Sequence, residues 1–254
     1  IGAMTTFIDL SLSLRPRDRS SRPPKIDYVD HEQSARRCAP VYGVPLEAFR
    51  DRQYAAIEHI TLTTHDTTHL DAPYHYGPVC MGRPARTIDQ VPLEWCFSDG
   101  VVLDFSHKGR GERITEDEVR AALDRIGYTL KPLDIVLIRT DAWKHAGEPD
   151  FAGAHPGVGG EATRWLIDQG IKVTGIDAWG WDRSLDVMVD DLKAGDREQF
   201  WESHYLGRER EYCHLERLAH LDRIPVPFGF KVSVFPIKIE KASAGWVRAV
   251  AILD

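Results

Sequence analysis

The sequence predicts a mixed α/β fold that is rich in strands and forms a single domain. Short runs of β-branched and aromatic residues recur along the chain, and amphipathic segments with clear helix-ending signals lie between them. A length of 254 residues is sufficient to bury a full core and suits one domain. The order of these segments indicates strands punctuated by helices.

Seven segments are predicted to be strands because they combine β-branched or aromatic residues with turn residues at their ends. They are TFIDLSLSL (6–14), IEHITLTTH (57–65), GVVLDF (100–105), DIVLIRT (134–140), IKVTGIDAW (171–179), GFKVSVFPIKIE (229–240) and WVRAVAIL (246–253).

Two helices are predicted between these strands. In ITEDEVRAALDRIG, Thr115 and Glu118 have capping-box spacing, and Gly127 is placed to end the helix. Its apolar stripe comprises Val119, Ala122, Leu123 and Ile126. The segment GGEATRWLIDQGI is predicted to end at Gly170, just before the next strand. Its expected buried face comprises Ala162, Trp165, Leu166 and Gln169.

Composition narrows the class of protein. A net charge of −7 gives no basic surface for nucleic acid, and no apolar run reaches the roughly 18 residues needed to cross a bilayer. The N-terminus lacks the order of a signal peptide, so a cytoplasmic location is expected. Residues 1–3, ahead of Met4, are interpreted as an added leader, which leaves 4–254 as the domain.

Two further features are read from composition. Four scattered cysteines are expected to be buried free thiols, because they have neither zinc-knuckle nor disulfide spacing. The segments 15–55 and 182–215 are irregular in pattern and are expected to form loops or short helices that edge a pocket.

The stretch HDTTHLDAPYH (65–75) concentrates histidines and acids. On a straight strand His65 and His69 would stand about 13 Å apart, too far to share an ion, so the chain is expected to turn at the intervening Asp-Thr-Thr. His65, His69 and Asp71 would then form a facial set of two nitrogens and one oxygen. A lone H-x-x-x-H is more often accidental; the nearby carboxylate and His75 favour a metal site over a polar turn.

The spacing H-x-x-T-H-x-D-x-P-x-H resembles the signature of the cyclase and kynurenine formamidase-like family of metal-dependent hydrolases, which includes arylformamidases and isatin hydrolases. The matching residues are His65, Thr68, His69, Asp71, Pro73 and His75. His204 and Glu216 also have the family's spacing, and TFIDLSLSL and GIDAWGWD resemble its opening and internal strands. One departure is Thr67, where many members have glycine.

The resemblance implies a swivelling β/β/α-type fold, assembled as a homodimer or larger, and a set of site residues. His65, His69 and Asp71 would hold a first divalent metal. Asp71 would bridge to a second ion held by His204 and Glu216. The ion would be zinc or manganese, some relatives working with one manganese, and His75 would be the catalytic acid and base. Competing ligands for the place of Glu216 are His214 and, more weakly, His220 and His155.

Aromatic residues near these positions suggest a flat, aromatic small-molecule substrate. Trp179 and Trp181 follow a strand end, and Trp201 and Tyr205 flank His204, although core packing is the commoner role of tryptophan. Asp177 is expected to be either a buried hydrogen-bond partner or a pocket carboxylate.

The sequence thus predicts a metal-dependent hydrolase that opens an amide bond, in an arylformamide or a cyclic amide, by metal-activated water. A lactone or ester hydrolase would use the same groups with a different leaving atom. A cyclase or dehydratase that transfers protons without hydrolysis is a further alternative, and a binding protein that has lost its chemistry is the non-enzyme one.

Overall fold

The structure is a computed structural model that describes residues 4–16 and 24–254. Residues 1–3, interpreted as an added leader, and 17–23, part of an irregular segment, lie outside the described residues. The chain divides into two compact units: unit 1 contains the described residues of Ile1–Ser13 with Thr67–Asp254, and unit 2 those of Leu14–Asp66.

The described residues form fifteen strands and six α-helices. The strands are β1 (Thr6–Asp9), β2 (Lys25–Val29), β3 (Ile57–Thr61), β4 (His69–Asp71), β5 (Val79–Cys80), β6 (Arg83–Pro84), β7 (Phe97–Asp104), β8 (Arg113–Ile114), β9 (Ile135–Arg139), β10 (Gly157–Val158), β11 (Val173–Ile176), β12 (Cys213–Glu216), β13 (Phe228–Ser233), β14 (Ala244–Trp246) and β15 (Val250–Leu253). The helices are α1 (His31–Tyr42), α2 (Pro73–Tyr76), α3 (Glu116–Ile126), α4 (Gly160–Asp168), α5 (Leu185–Lys193) and α6 (Glu202–Leu206).

Unit 1 is built on a mixed sheet with the strand order β1-β15-β13-β7-β9-β11-β12-β4-β14. The central strands β7, β9, β11 and β12 run parallel, and the strands on either side of them pair antiparallel. Both faces of the centre are covered. Along β9, Ile135 and Leu137 enter one core cluster, whereas Val136 and Ile138 enter the other. Such burial on two faces is typical of parallel strands.

The helices α3 and α4 cover one of these faces. As predicted, α3 begins with a capping box between Thr115 and Glu118 and ends at Gly127, whose φ of 67° is left-handed. The predicted face of α4 is wrong in part, because Gln169 is exposed whereas Thr163 and Ile167 are buried; Trp165 is half-buried and packs against the core, as predicted. Thr163 is drawn inward by hydrogen bonds to Trp181 and Ser203.

Most predicted strands are confirmed, generally with shorter bounds, although β7 begins three residues earlier than predicted. The prediction of a single strand over 246–253 is wrong. Trp246 pairs with β4, whereas Val250 pairs with β1 and β13 at the far end of the sheet. The strands β4 and β12 were not predicted, because three and four residues with polar side chains give too little pattern.

Unit 2 contains the antiparallel ribbon of β2 and β3 together with α1. The helix α1 lies in the segment 15–55 that was expected to be irregular, and α5 and α6 lie in the segment 182–215. The cysteines are free, and Cys80, Cys96 and Cys213 are buried as predicted, whereas the prediction of burial is wrong for Cys38, which is only half-buried. Within residues 4–16 and 24–254, none of the helices has the length and apolar character needed to span a bilayer.

Candidate metal centre

Pairing of β4 with β12 places four polar side chains on one face of the sheet. In this antiparallel register His69 lies opposite Glu216, and Asp71 lies opposite His214. Because side chains alternate along a strand, residues two apart share a face, so the two cross-strand pairs are adjacent. The sheet therefore brings together residues that are about 145 positions apart in the chain.

The side chains of these pairs approach one another closely. His69 Nε2 lies 3.3 Å from Asp71 Oδ1 and 3.6 Å from Glu216 Oε2. His214 Nε2 lies 3.1 Å from Asp71 Oδ2 and 3.3 Å from Glu216 Oε1. All four residues are buried.

His204 reaches the same point from the helix α6. Its Nε2 lies 4.0 Å from Asp71 Oδ2 and 3.8 Å from Glu216 Oε1. Its Nδ1 is hydrogen-bonded to Asp182, which also accepts from the backbone N–H groups of Ser203, at 2.9 Å, and His204, at 3.2 Å. Asp182 thus orients the imidazole so that Nε2 faces the carboxylates, a common arrangement around metal-binding histidines.

The tautomer of His69 is fixed by a similar contact. Its Nδ1 donates to the backbone carbonyl of Thr67 at 2.9 Å, since a carbonyl oxygen can only accept. In the neutral ring Nε2 then carries the lone pair. That lone pair faces Asp71 and Glu216, as a ligand nitrogen should.

We call His69, Asp71, His204, His214 and Glu216 the five-residue cluster. Within it, ligand atoms of Asp71, His204, His214 and Glu216 all lie within 4.8 Å of one another. Imidazole nitrogens and carboxylate oxygens are the donors that zinc and manganese take in proteins. The residues present therefore fit a divalent metal.

The electrostatics of the cluster favour positive charge. Burial lowers the pKa of His214, but the carboxylates of Asp71 and Glu216 outweigh it and raise that pKa to about 9. For Glu216, burial raises the pKa, whereas His214 and His69 lower it; the net direction is well below its ordinary value. The site therefore stabilises positive charge and keeps the carboxylate of Glu216 ionised.

His75 stands at the border of the cluster, on the short helix α2, which begins with Pro73 at its first position. Its Nε2 lies 3.7 Å from Asp71 Oδ2, and 24% of its side chain is exposed. The edge of the ring meets Trp201 at 5.5 Å and His204 at 5.4 Å between centroids. His75 is thus close to the buried carboxylate and open to solvent.

The three tryptophans proposed to bind substrate have different surroundings. Trp201 stacks on His204 with 4.3 Å between ring centroids, beside His75. Trp181 is fully buried, and its backbone N–H donates to Glu216 Oε1 at 2.9 Å. Trp179 is half-buried, with the guanidinium of Arg217 3.5 Å from its ring centroid. The substrate-binding role of each stays a prediction.

The remaining candidates for metal ligands are His65, His155 and His220. His65 belongs to unit 2, and its role as a ligand stays a prediction from the motif. The predicted turn near it is confirmed, since turn and bend residues separate β3 from β4. His155 is buried with Nδ1 2.7 Å from the carbonyl of Pro156, and His220 packs edge-on against Trp143. Neither belongs to the five-residue cluster.

Sequence reasoning missed Asp182 and gave His214 only a secondary place. The signal for His214 is its alternation with Glu216 in CHLE, which puts both on one face of a strand. Asp177 is a buried hydrogen-bond partner: it accepts from the N–H and hydroxyl of Thr140, both at 2.6 Å, and from the N–H of Asp141 at 3.0 Å.

Relatives of known name share this chain's sequence over most of its length. An isatin hydrolase from Roseibium aggregatum is 26% identical over 215 residues, which cover 80% of this chain and 77% of that protein. A kynurenine formamidase from Paracidovorax citrulli is 29% identical over 199 residues, covering 75% of this chain and 77% of that protein.

Solved structures share the fold. An isatin hydrolase bound to the product analogue thioisatinate superposes with a TM-score of 0.76 at 22% identity, covering 98% of this chain and 92% of that one. A predicted metal-dependent hydrolase from Bacillus stearothermophilus gives a TM-score of 0.65 at 20% identity, covering 98% and 99% of the two chains.

A family model described as "Putative cyclase" matches residues 8–183, more than half of the chain. The match includes the motif from His65 to His75 and ends before His204 and Glu216. That these two side chains lie close together is therefore seen in the structure and not in the family match. By this match and by its relatives, the chain belongs to the cyclase family of enzymes, whose members include isatin hydrolase and kynurenine formamidase.

Proposed function

We propose that the protein is a metal-dependent hydrolase that cleaves an amide bond in an arylformamide or a cyclic amide. The observation that carries this proposal is the convergence of His69, Asp71, His204 and Glu216 at one buried point, with the accessible His75 beside it. Relatives named isatin hydrolase and kynurenine formamidase support these two substrate classes.

The residues would hold one or two divalent ions, zinc or manganese. A first position would use His65, His69 and Asp71, with His65 included from the sequence motif. A second position would use Asp71, His204 and Glu216. When bound, a divalent ion lowers the pKa of coordinated water from 15.7 towards about 7 and polarises the carbonyl group under attack.

His75 would carry the proton in this reaction. Its imidazole would accept a proton from the attacking water and donate it to the leaving nitrogen. The carboxylate of Asp71, 3.7 Å from Nε2, would hold the ring in place and stabilise its charged form. Trp201, stacked on His204 next to His75, offers an aromatic face on which a flat substrate could lie.

The substrate would be a small molecule, the enzyme would act in the cytoplasm, and the family resemblance suggests a homodimer or tetramer. Lactone or ester hydrolysis on the same site is the nearest alternative. A cyclase or dehydratase reaction, in line with the family's name, would proceed without incorporation of oxygen from solvent water.

Two histidine substitutions test the proposed roles. His75→Ala should keep its metal and lose at least about 100-fold in kcat, because only the proton carrier is removed. His69→Ala should lose metal as well as turnover, because a ligand is removed. Metal content by elemental analysis and hydrolysis of isatin and an aryl formamide in ¹⁸O-labelled water would be measured together.

The control is His107→Ala, which removes an exposed histidine distant in sequence from the motif. It should match the wild type in both measurements. Hydrolysis by His75→Ala at the wild-type rate would show that His75 is not the acid and base.

A further inference from the structure

The least expected member of the five-residue cluster is His214, since the family resemblance assigns it no role. Its ring is fully buried and packs against three aromatic rings. Trp181 stacks over it with 5.9 Å between centroids and 18° between planes, and Tyr76 and Tyr212 lie 5.1 and 5.6 Å away. The backbone N–H of His214 donates to the hydroxyl of Tyr76 at 3.2 Å. Such enclosure fixes the direction in which the two ring nitrogens point.

The hydroxyl of Tyr212 fixes which ring nitrogen of neutral His214 carries the proton. Tyr212 donates its only hydroxyl proton to the backbone carbonyl of Ser203 at 2.9 Å, so its oxygen is left to accept from His214 Nδ1 at 3.2 Å. In the neutral ring Nε2 then presents a lone pair. That lone pair points at Asp71 Oδ2, 3.1 Å away, and Glu216 Oε1, 3.3 Å away.

Two carboxylate oxygens and one imidazole nitrogen therefore meet at one point inside the protein. Such a group is stable only with positive charge among its atoms, either a proton on Nε2 or a metal ion that takes the place of that proton. His204 Nε2, which is directed to the same carboxylates by Asp182, adds a fourth donor. This is the donor set of two nitrogens and two oxygens that suits zinc.

We propose that His214 is a ligand of the second metal position, together with Asp71, His204 and Glu216. This inference rests on the proposed function, which places a divalent ion there. Structural zinc sites take four protein donors, whereas catalytic sites take three. With four donors of its own, the second position would hold charge and structure, and the chemistry of water activation would be supplied at the position of His69 and Asp71.

The variant His214→Asn tests this assignment. The shorter amide of asparagine can reach the hydroxyl of Tyr212 in place of Nδ1, but no atom of it takes the place of Nε2. The dissociation constants of Zn²⁺ would be measured by chelator competition on the metal-stripped protein, and the visible spectrum would be recorded after loading with Co²⁺. We expect two classes of site in the wild type, the tighter one weakened at least about tenfold in the variant and the other unchanged.

The control is His220→Asn, which removes a histidine that packs on Trp143 outside the cluster and keeps a residue tolerant of its left-handed φ of 59°. It should bind Zn²⁺ and Co²⁺ like the wild type. Unfolding of each variant in the presence of chelator would show whether a loss of affinity reflects a loss of fold.

Different results would overturn the inference alone or together with the proposed function. Unchanged affinities and Co²⁺ spectrum in His214→Asn would show that His214 is not a ligand, while the metal site itself would stand. A wild-type protein that binds no ion would reject the proposed function and this inference together. If His214→Asn does not fold, ¹H–¹⁵N spectra of the wild-type histidine rings decide: addition of Zn²⁺ should shift His214 Nε2, and an unmoved resonance would reject the ligand role.

Discussion

At the scale of single residues, Thr67 shows how the backbone before the metal ligands is shaped. Its φ is 54°, a left-handed conformation that is costly for a β-branched side chain. Its hydroxyl donates to the backbone carbonyl of Leu12 at 2.8 Å, and its own carbonyl accepts from His69. The glycine found here in many members of the family would adopt this φ without strain.

Substitutions at Thr67 should separate strain from hydrogen bonding. Thr67→Ala keeps the strain and loses the bond to Leu12, so the free energy of unfolding should fall by about 1 kcal/mol. Thr67→Gly loses the same bond but relieves the strain, and should be more stable than Thr67→Ala by about 1 kcal/mol. Urea unfolding measures both, and an alanine variant at least as stable as the glycine variant would contradict the argument.

The buried carboxyl of Asp177 predicts a pH dependence of stability. Burial raises its pKa from the ordinary 3.8 to about 7, although hydrogen bonds from Thr140 and Asp141 act in the opposite direction. Because the folded pKa is higher than the unfolded one, the stabilising contribution is complete below about pH 4 and is lost as the pH rises through 7.

The comparison with Asp177→Asn measures this contribution. Between pH 5 and pH 8 the stability of the wild type relative to the variant should fall by a few kcal/mol, since each unit of pKa shift corresponds to about 1.4 kcal/mol. Urea unfolding at several pH values gives the difference. A difference that is constant over this range would show that Asp177 does not titrate there.

At the scale of elements, the site depends on how α6 packs against α2. Gly207 follows α6, and a Cβ atom there would lie 2.1 Å from Cδ2 of Tyr76, a buried ring next to His75 and His204. Only glycine permits this approach. It sets the distance between the helix that carries His204 and the helix that carries His75.

Gly207→Ala should therefore disturb the site without removing a donor atom. We expect a loss of about 1–3 kcal/mol in the free energy of unfolding, together with weaker metal binding, because Tyr76 and α6 must move apart. Gly147→Ala is the matched control, since among the described residues no atom outside its immediate chain neighbours lies within 4 Å of a Cβ atom at that position. Thermal unfolding and Zn²⁺ titration of the two variants give the comparison, and equal behaviour would contradict the proposed packing constraint.

The helices and strands differ in how well the sequence predicts them. The helix α3 was predicted with its cap and its end because Thr115, Glu118 and Gly127 act locally. The strands β4 and β12 were not predicted, because their stability comes from pairing with distant segments rather than from local pattern. The motif from His65 to His75 indicated a metal site, but the place of His214 and Asp182 in it depends on strand register and helix packing.

At the scale of the whole molecule, unit 2 exposes apolar side chains on a ribbon that has little stability alone. Tyr28 is 60% exposed, Ile57 47% and Ile60 49%. Exposed apolar surface of this kind is typical of interfaces, and the family resemblance implies a homodimer or larger. We expect light scattering to give at least the mass of two chains, and Ile57→Asp with Ile60→Asp to lower it; a wild-type monomer would contradict the expectation.

The central claim is that the five-residue cluster and His75 make this member of the cyclase family a metal-dependent amide hydrolase. The most direct test is to strip the protein with chelator, add Zn²⁺ or Mn²⁺ stepwise, and follow hydrolysis of isatin and an aryl formamide after each addition. We predict no hydrolysis without metal, and a rise in the rate of hydrolysis that ends at one or two ions per chain. Hydrolysis that survives complete removal of metal, or full metal loading without hydrolysis of either substrate, would contradict it.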